Sequence, residues 1–460
     1  MLIRFNVKNF LSFAIKQDGR SEEFSMIAGK VRNKKEHIYD DGNLKLLKFA
    51  SVYGANAAGK SNLIKAMAFM KSTVVNGLPK GHTDKYCKIN EANKDKASYF
   101  EVEIKIGEKY YAYGFEVILN NSKFVSEWLF ELRPNNQDRL IFVRESESEP
   151  YKLGKELQIK ELVDKLKVYA DDVQSDGTVL FLSVLNQNKK ALYEKYAEMS
   201  EIKDVFSWMK YTLDVNFPNR PISDYSYLAQ EQNVEEVYRT IAAFGTGITG
   251  FELVPVSAEK MVEAMPNAAR KFLMERLEQK LIKMKQDEDI KGFSMFMRGP
   301  KDFFILDVDR NEKITCKTIR FSHGTKNVLF EMTEESDGTI RLLDLLEVLL
   351  CRENKVFVID EIDRCLHPSL TYKFVDTFLD IADQHGVQLI VTTHESRLMD
   401  FDLLRRDEIW FVDKNGHGES SVYSLEEYNA RFDQKIDKAY LEGRYGGVPV
   451  FNTIFPVREG

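Results

Sequence analysis

Residues 2–7 alternate between apolar and polar side chains, the period of a half-buried strand. Residues 48–53 form a short apolar run that ends at Gly54 and read as a second strand. From Ser61 the period lengthens, and Leu63, Ile64, Met67 and Met70 fall on one face of a helix. Strand patterns return over residues 99–106, 109–119, 124–132 and 140–143. The turn signals Asn120-Asn121 and Pro134-Asn135-Asn136 separate these runs and predict antiparallel pairing. Residues 179–291 are mainly helical in pattern. Within them, 268–291 predict a long charged helix with Phe272, Leu273, Leu277, Leu281, Ile282 and Met284 at apolar spacing.

The remaining third changes character. Strands are predicted over 303–308 and 316–321, then a helix over 339–350 and a strand over 356–359. A helix over 370–382 and strands over 387–392 and 408–412 follow. Alternating strands and helices predict a parallel sheet with helices on its faces. The expected architecture is therefore α/β and split in sequence. Residues 1–175 supply its first part with an antiparallel β subdomain, 176–300 a helical insertion, and 301–460 its second part.

The 460 residues carry 43% hydrophobic and 30% charged side chains, which places the chain with soluble globular proteins. No apolar run has the length of a membrane span. The start lacks the apolar stretch of a signal peptide, so a cytoplasmic protein is expected. The formal net charge of −7 argues against a surface that coats nucleic acid along its length, and leaves a local basic patch open. Cys87, Cys316, Cys351 and Cys365 form no CxxC pair and are expected to be reduced and structural.

Gly54-Ala-Asn56-Ala-Ala-Gly59-Lys60-Ser61 fits GxxxxGK[ST] at each defined position, with a strand before it and a helix after it. Glycines let backbone N–H groups curl around phosphate oxygens, and a helix N-terminus favours the negative charge. Gly54, Asn56, Gly59, Lys60, Ser61 and Asn62 form the expected ATP-binding set. Lys60 is expected to reach the β- and γ-phosphates, and the Ser61 hydroxyl to ligate Mg²⁺.

Residues 356–359 deliver Asp360 and Glu361 to the end of a buried strand, where α/β sheets bind ligands. Asp360 is expected to hold the magnesium through water, and Glu361 to polarise the attacking water as the catalytic group. His394 follows the next apolar strand and is expected to contact the γ-phosphate. Glu335-Ser336-Asp337-Gly338-Thr339 stands just before a helix. Ser336 and Gly338 suit phosphate binding there, and taken alone the same residues read as an ordinary N-cap; Ser336 stands 24 residues before Asp360, room for one helix between the motif and the acidic strand.

This order of motifs, with the stretch Glu361-Ile-Asp363-Arg-Cys-Leu366-His367-Pro368, resembles the ABC-type ATPase heads of the SMC, RecF and OLD-like group. The opening Asn9-Phe10-Leu11-Ser12-Phe13 is similar to the NFxSF element of such heads, and the tail from Tyr440 to Pro449 is similar to theirs. Within the group the chain resembles OLD-related ATPases of prokaryotic anti-phage defence operons, PARIS-type systems among them. The resemblance covers roughly residues 1–75 and 315–450. It implies that Ser336 and Gly338 act in trans on the γ-phosphate held by a second copy. It also implies that His367 occupies the D-loop position, and that the heads pair as a homodimer or higher oligomer. No glutamine can be assigned to the Q-loop.

OLD nucleases carry a further Toprim domain. The stretch after Val412 holds no DxD and no HNH-like cluster, so a separate effector, a nuclease or toxin, is expected. A RecF-like repair ATPase acting directly on DNA is the alternative. Arg270, Lys271, Arg276, Lys280, Lys283 and Lys285 lie on the long predicted helix and could touch nucleic acid. Interspersed acids make a solvated face the plainer reading.

Overall fold

The structure is a computed structural model. It describes residues 1–133, 137–145, 151–223, 227, 234–263, 265, 267–287, 290–299, 301–324, 328–351, 354–382, 386–428 and 436–441. The chain divides into two compact units. The first comprises Met1–Val215, Arg352–Ile362 and Leu379–Gly460, the second Asn216–Cys351 and Asp363–Phe378.

The first unit is centred on a six-stranded sheet. Its order is Leu213–Asn216, Val356–Ile359, Gln388–Thr392, Phe49–Tyr53, Ile409–Lys414 and Ser420–Ser424. The four middle strands run parallel, and the last pairs antiparallel. Val356–Ile359, Gln388–Thr392 and Phe49–Tyr53 are buried at every residue, which is why they read as continuous apolar runs. Gln388 is the polar exception. Its side chain accepts from Leu2 N at 2.6 Å and donates to the carbonyls of Leu2 at 3.1 Å and Leu47 at 2.9 Å. That exchange ties the central sheet to the first strand of the chain.

Leu2–Lys8 belongs to a seven-stranded antiparallel sheet. The order is Tyr151–Leu153, Arg139–Glu145, Lys123–Leu132, Lys109–Ile118, Ser98–Ile106, Leu2–Lys8 and Glu22–Ser25. The four strands expected after residue 98 all lie in it. Asn120-Asn121 sits in the short turn Leu119–Asn121, whereas Pro134-Asn135-Asn136 lies outside the described residues.

The second unit contains an antiparallel sheet in the order Ile248–Val256, Ile314–His323, Phe303–Asp309 and Gly292–Arg298, with Leu329–Glu331 added to Ile314–His323. The stretch expected to be mainly helical thus holds helices and also two strands, Leu213–Asn216 and, in this unit, Ile248–Val256. That strand carries Pro255 and Gly250, and it lies at the edge of its sheet, where a missing N–H and weak patterning are tolerated. The long charged helix runs over Asn267–Gln286. Leu273, Leu277 and Met284 pack with Met295, Phe304 and Leu306 in one core cluster. Ile282, expected on the apolar face, is 54% exposed.

Helix Asp337–Leu350 is buried along most of its length, including Leu342, Leu343, Leu345 and Leu346. Among the described residues, no helix is long and apolar enough to cross a membrane.

Candidate nucleotide-binding site

The turn between Phe49–Tyr53 and helix Lys60–Asn76 is built for close backbone approach. A Cβ at Gly54 would stand 2.3 Å from the Val412 carbonyl. Gly59 has φ 123°, and a Cβ there would stand 2.5 Å from Ser420 Oγ and 3.0 Å from Ser12 Oγ. Only glycine meets both demands at these positions. The Lys60 ammonium donates to the carbonyls of Gly54 at 2.7 Å and Ala55 at 3.2 Å, so its charge is held inside the loop. Asn56 is exposed at the tip of the loop.

Two residues from distant parts of the chain brace this loop. Ser420 Oγ donates to the Ala58 carbonyl and lies 2.7 Å from Ser12 Oγ. Ser420 N donates to Ser12 O at 2.9 Å, and Asn62 Nδ2 donates to Ser12 Oγ at 2.8 Å. Asn62 thus binds the Asn9–Phe13 element in this structure. Tyr440, the first residue of the tail motif, hydrogen-bonds the Gly54 backbone and stacks on Phe411 with ring centroids 5.7 Å apart. Burial raises its phenol above the usual tyrosine range. Most of that motif, residues 442–449, lies outside the described residues.

The acidic strand ends against the start of the loop helix. Ser61 Oγ donates to Asp360 Oδ1 at 3.1 Å, and Thr392 Oγ1 donates to the same oxygen at 2.6 Å. Glu361 N donates to Thr392 Oγ1 at 2.8 Å. Thr392, which sequence reading did not single out as a site residue, therefore locks the two acids in place. Glu361 has φ 52°, a left-handed conformation that non-glycine residues seldom adopt. Such a turn persists where its surroundings hold it. Here the Thr392 hydroxyl holds the Glu361 N–H, and the Ile362 N–H donates to Thr392 O at 3.0 Å. His394 is exposed two residues beyond Thr392, past the end of the strand paired with the acidic one.

The hydroxyl and carboxylate oxygens of Ser61 and Asp360 are the hard donors that suit Mg²⁺ bound together with substrate phosphates. Among the described residues no three His, Cys, Asp or Glu converge on a metal site. A magnesium held chiefly by phosphate and water needs no such triad. Beside the loop helix lies a cleft of ≈ 490 Å³ whose wall includes Ser12, Asn62, Asp84, Tyr86, Lys88 and Lys414. Its size suits a nucleoside.

In the second unit, Ser336 caps helix Asp337–Leu350. Its Oγ accepts from Thr339 N at 3.0 Å and lies 2.8 Å from Thr339 Oγ1. A Cβ at Gly338 would stand 2.8 Å from the Cys365 carbonyl. Close packing alone therefore calls for glycine there. Glu335, immediately before the cap, is buried and lies 2.6 Å from His323 Nε2. His367 is exposed and caps the next helix, accepting from Ser369 N at Nδ1 at 3.2 Å. Pro368 follows at the first helical position, where its missing N–H costs nothing.

The cations of helix Asn267–Gln286 are partly tied down locally. Lys280 donates to Ser294 O at 3.2 Å, and Lys285 pairs with Glu312 at 2.8 Å. These contacts favour the solvated-face reading. Among the described residues the four cysteines are free thiols, with Cys87 and Cys316 buried and Cys365 exposed.

Comparison with known proteins gives the following. The chain is similar to an SMC head bound to the C-winged helix domain of ScpA, at 13% identity and TM-score 0.40, covering 93% of this chain and 99% of that one. It is similar to the SMC head domain from Thermotoga maritima at 12% identity and TM-score 0.35, covering 92% and 98%. It is also similar to the Pyrococcus furiosus Smc head with an extended coiled coil bound to the C-terminal domain of ScpA. There the identity is 13% and the TM-score 0.41, covering 96% and 99%. No curated protein matches the chain. A family described as "AAA domain, putative AbiEii toxin, Type IV TA system" matches residues 49–168 and 214–400, a span that contains the phosphate loop, both acids and the Ser336 turn. With well over half of its length matched, the chain belongs to this AAA-domain family.

Proposed function

We propose that the chain binds ATP with Mg²⁺ and hydrolyses it at a site completed by a second copy of itself. The contact that supports this most is Ser61 Oγ to Asp360 Oδ1 at 3.1 Å, which sets the loop helix and the acidic strand face to face at one point. In this reading the Gly54–Gly59 backbone cradles the phosphates, with Asn56 at its tip and Asn62 at the start of the helix. Lys60 turns from the loop carbonyls to the β- and γ-phosphates. Ser61 and Asp360 would hold the magnesium, which would supply positive charge against the phosphate oxygens. Glu361 accepts a proton from the attacking water, and His394 contacts the γ-phosphate. The ≈ 490 Å³ cleft takes the nucleoside. Ser336, Gly338 and His367 come from the opposite copy.

The role we propose is that of a cytoplasmic sensor or regulator that controls a separate nuclease or toxin in anti-phage defence, as in PARIS-type systems. The family description, which names a toxin–antitoxin system, supports a defence setting. The alternative, a RecF-like ATPase acting directly on DNA, draws less support, because Lys280 and Lys285 are engaged within their own unit.

Subunit complementation tests the composite site. Ser336→Arg is expected to bind ATP and lose hydrolysis, and Lys60→Ala to lose binding. Co-expressed with two tags and isolated as the mixed species, they are expected to recover part of the activity. Wild-type hydrolysis by Ser336→Arg would return the turn to a plain helix cap. For the effector, purified protein with ATP and Mg²⁺ or Mn²⁺ is expected to leave plasmid and tRNA intact. Cleavage that a point mutation in this chain abolishes would refute the need for a separate nuclease.

A further inference from the structure

The second unit holds a cavity of ≈ 350 Å³ beside the start of helix Asp337–Leu350. Arg220, Lys301, Arg341 and Arg364 line it, from four separate stretches of chain, together with the carboxylates Asp337 and Asp344. Asp337 pairs with Lys301 at 2.8 Å. Asp344 lies 3.4 Å from Arg298, which does not line the cavity. Among the described residues, neither Arg220 nor Arg364 stands within ion-pair distance of a carboxylate. Burial holds the Arg341 guanidinium below its usual range; Asp344 opposes this and the Arg364 charge adds to it. A concave cluster of positive charge on a chain of net charge −7 is a local reversal, and such a cluster is relieved by an anion.

The cavity is continuous with the capping turn. Asp337, the residue after Ser336, lines it, and so does Cys365, whose carbonyl lies 2.8 Å from the place a Cβ would take on Gly338. Arg364 is exposed and precedes that carbonyl directly.

We propose that this cavity receives the terminal phosphates of ATP bound on the loop of a second copy of the chain, with Arg364 and Lys301 as the cations that touch them. The inference rests on the composite-site reading above and adds to it two charged residues that no motif named. In the step itself, water attacks the γ-phosphorus and gives a proton to Glu361. The bond from the γ-phosphorus to the bridging oxygen breaks, and its electron pair leaves on ADP. Arg364 neither gains nor loses a proton. It stabilises the charge that builds on the transferred group and the leaving oxygen.

The test uses the full chain with Arg364→Ala, Arg364→Lys and Lys301→Ala. Three quantities are measured: ATP affinity of the monomer, steady-state hydrolysis, and ATP-dependent self-association in a Glu361→Gln background. Arg364→Ala is expected to keep the parent's monomer affinity. It should lose about 10³-fold in turnover, the lower end of what an arginine supplied in trans contributes. Self-association should weaken at least about tenfold, and Arg364→Lys should recover part of both losses. Lys301→Ala should act in the same direction with a smaller effect. Because Arg364 is exposed, its variants are expected to melt like the parent.

Normal turnover in Arg364→Ala, with Ser336→Arg inactive, overturns this inference alone. Reduced ATP affinity in the Arg364→Ala monomer places the residue in cis and also overturns it. Pyrophosphate that stabilises monomeric Lys60→Ala, but not Lys60→Ala with Arg364→Ala, would make the cavity a site for a soluble anion instead. A wild-type chain that binds no ATP overturns the composite-site reading itself, and this inference with it.

Discussion

Asp360 and Ser336 show two ways of presenting a polar residue. The hydrogen bonds of Asp360 run to Ser61 and Thr392, residues 299 and 32 positions away. The hydroxyl oxygen of Ser336 bonds only three positions on, at Thr339 N and Thr339 Oγ1. The first set is assembled by folding, because each partner is fixed by a different strand or helix. The second satisfies itself within one turn and faces outward. A site of the first kind is complete in its geometry. A residue of the second kind gains chemistry only from something that arrives.

The contrast orders the expected effects of mutation. Lys60→Ala removes the charge inside the loop and should eliminate the rise in melting temperature that ATP produces. An unchanged shift would remove the loop from the nucleotide site.

Glu361→Gln should leave that shift in place and slow turnover on the order of 10²–10⁴-fold, the usual contribution of a positioned general base. Turnover at the parent rate would move the base elsewhere. Thr392→Val should come next, because it keeps the shape of the side chain and removes the hydroxyl that joins Asp360 to the Glu361 N–H. Leaving a buried donor unmet costs about 1–3 kcal/mol, read as a lower chemical-denaturation midpoint, with reduced turnover. An unaffected midpoint would mean that Thr392 does not hold the turn.

Ser336→Ala sits at the small end. It should cost about 1 kcal/mol of stability as an N-cap, and Ser336→Asp should restore the stability. The comparison sharpens if Ser336→Asp recovers stability without recovering hydrolysis, since a second negative charge would oppose the phosphate. Recovery of both would leave capping as the only role of the residue.

The sequence made the centre of the fold legible and left its margins obscure. Phe49–Tyr53, Val356–Ile359 and Gln388–Thr392 are interior strands, and their apolar runs announce them. Glu22–Ser25, Tyr151–Leu153, Leu213–Asn216, Ile248–Val256, Gly292–Arg298 and Ser420–Ser424 went unassigned, and all six are end strands of their sheets. An edge strand buries fewer residues and tolerates Pro255, so its pattern is faint. At the candidate site the loop and acids were readable because their spacing is local. The Ser12–Ser420 brace joins residues 408 positions apart, and Ser420 carries no motif of its own. Nor does any local pattern bring Arg220, Lys301 and Arg364 to one cavity.

The strand that leads into the phosphate loop has an unusual place in time as well as in space. Its two neighbours in the sheet are Gln388–Thr392 and Ile409–Lys414, both made more than 300 residues later. At a synthesis rate of about 5–20 residues per second, roughly 20 to 70 s separate the loop's emergence from the ribosome and the arrival of the strands that flank it. For most of that interval the nascent chain has the glycines and the lysine but neither Ser420 to brace them nor Asp360 to face Ser61. A growing chain therefore cannot complete this arrangement until Ser420 has been made, and a chain terminated before then lacks it even though it carries the whole loop sequence.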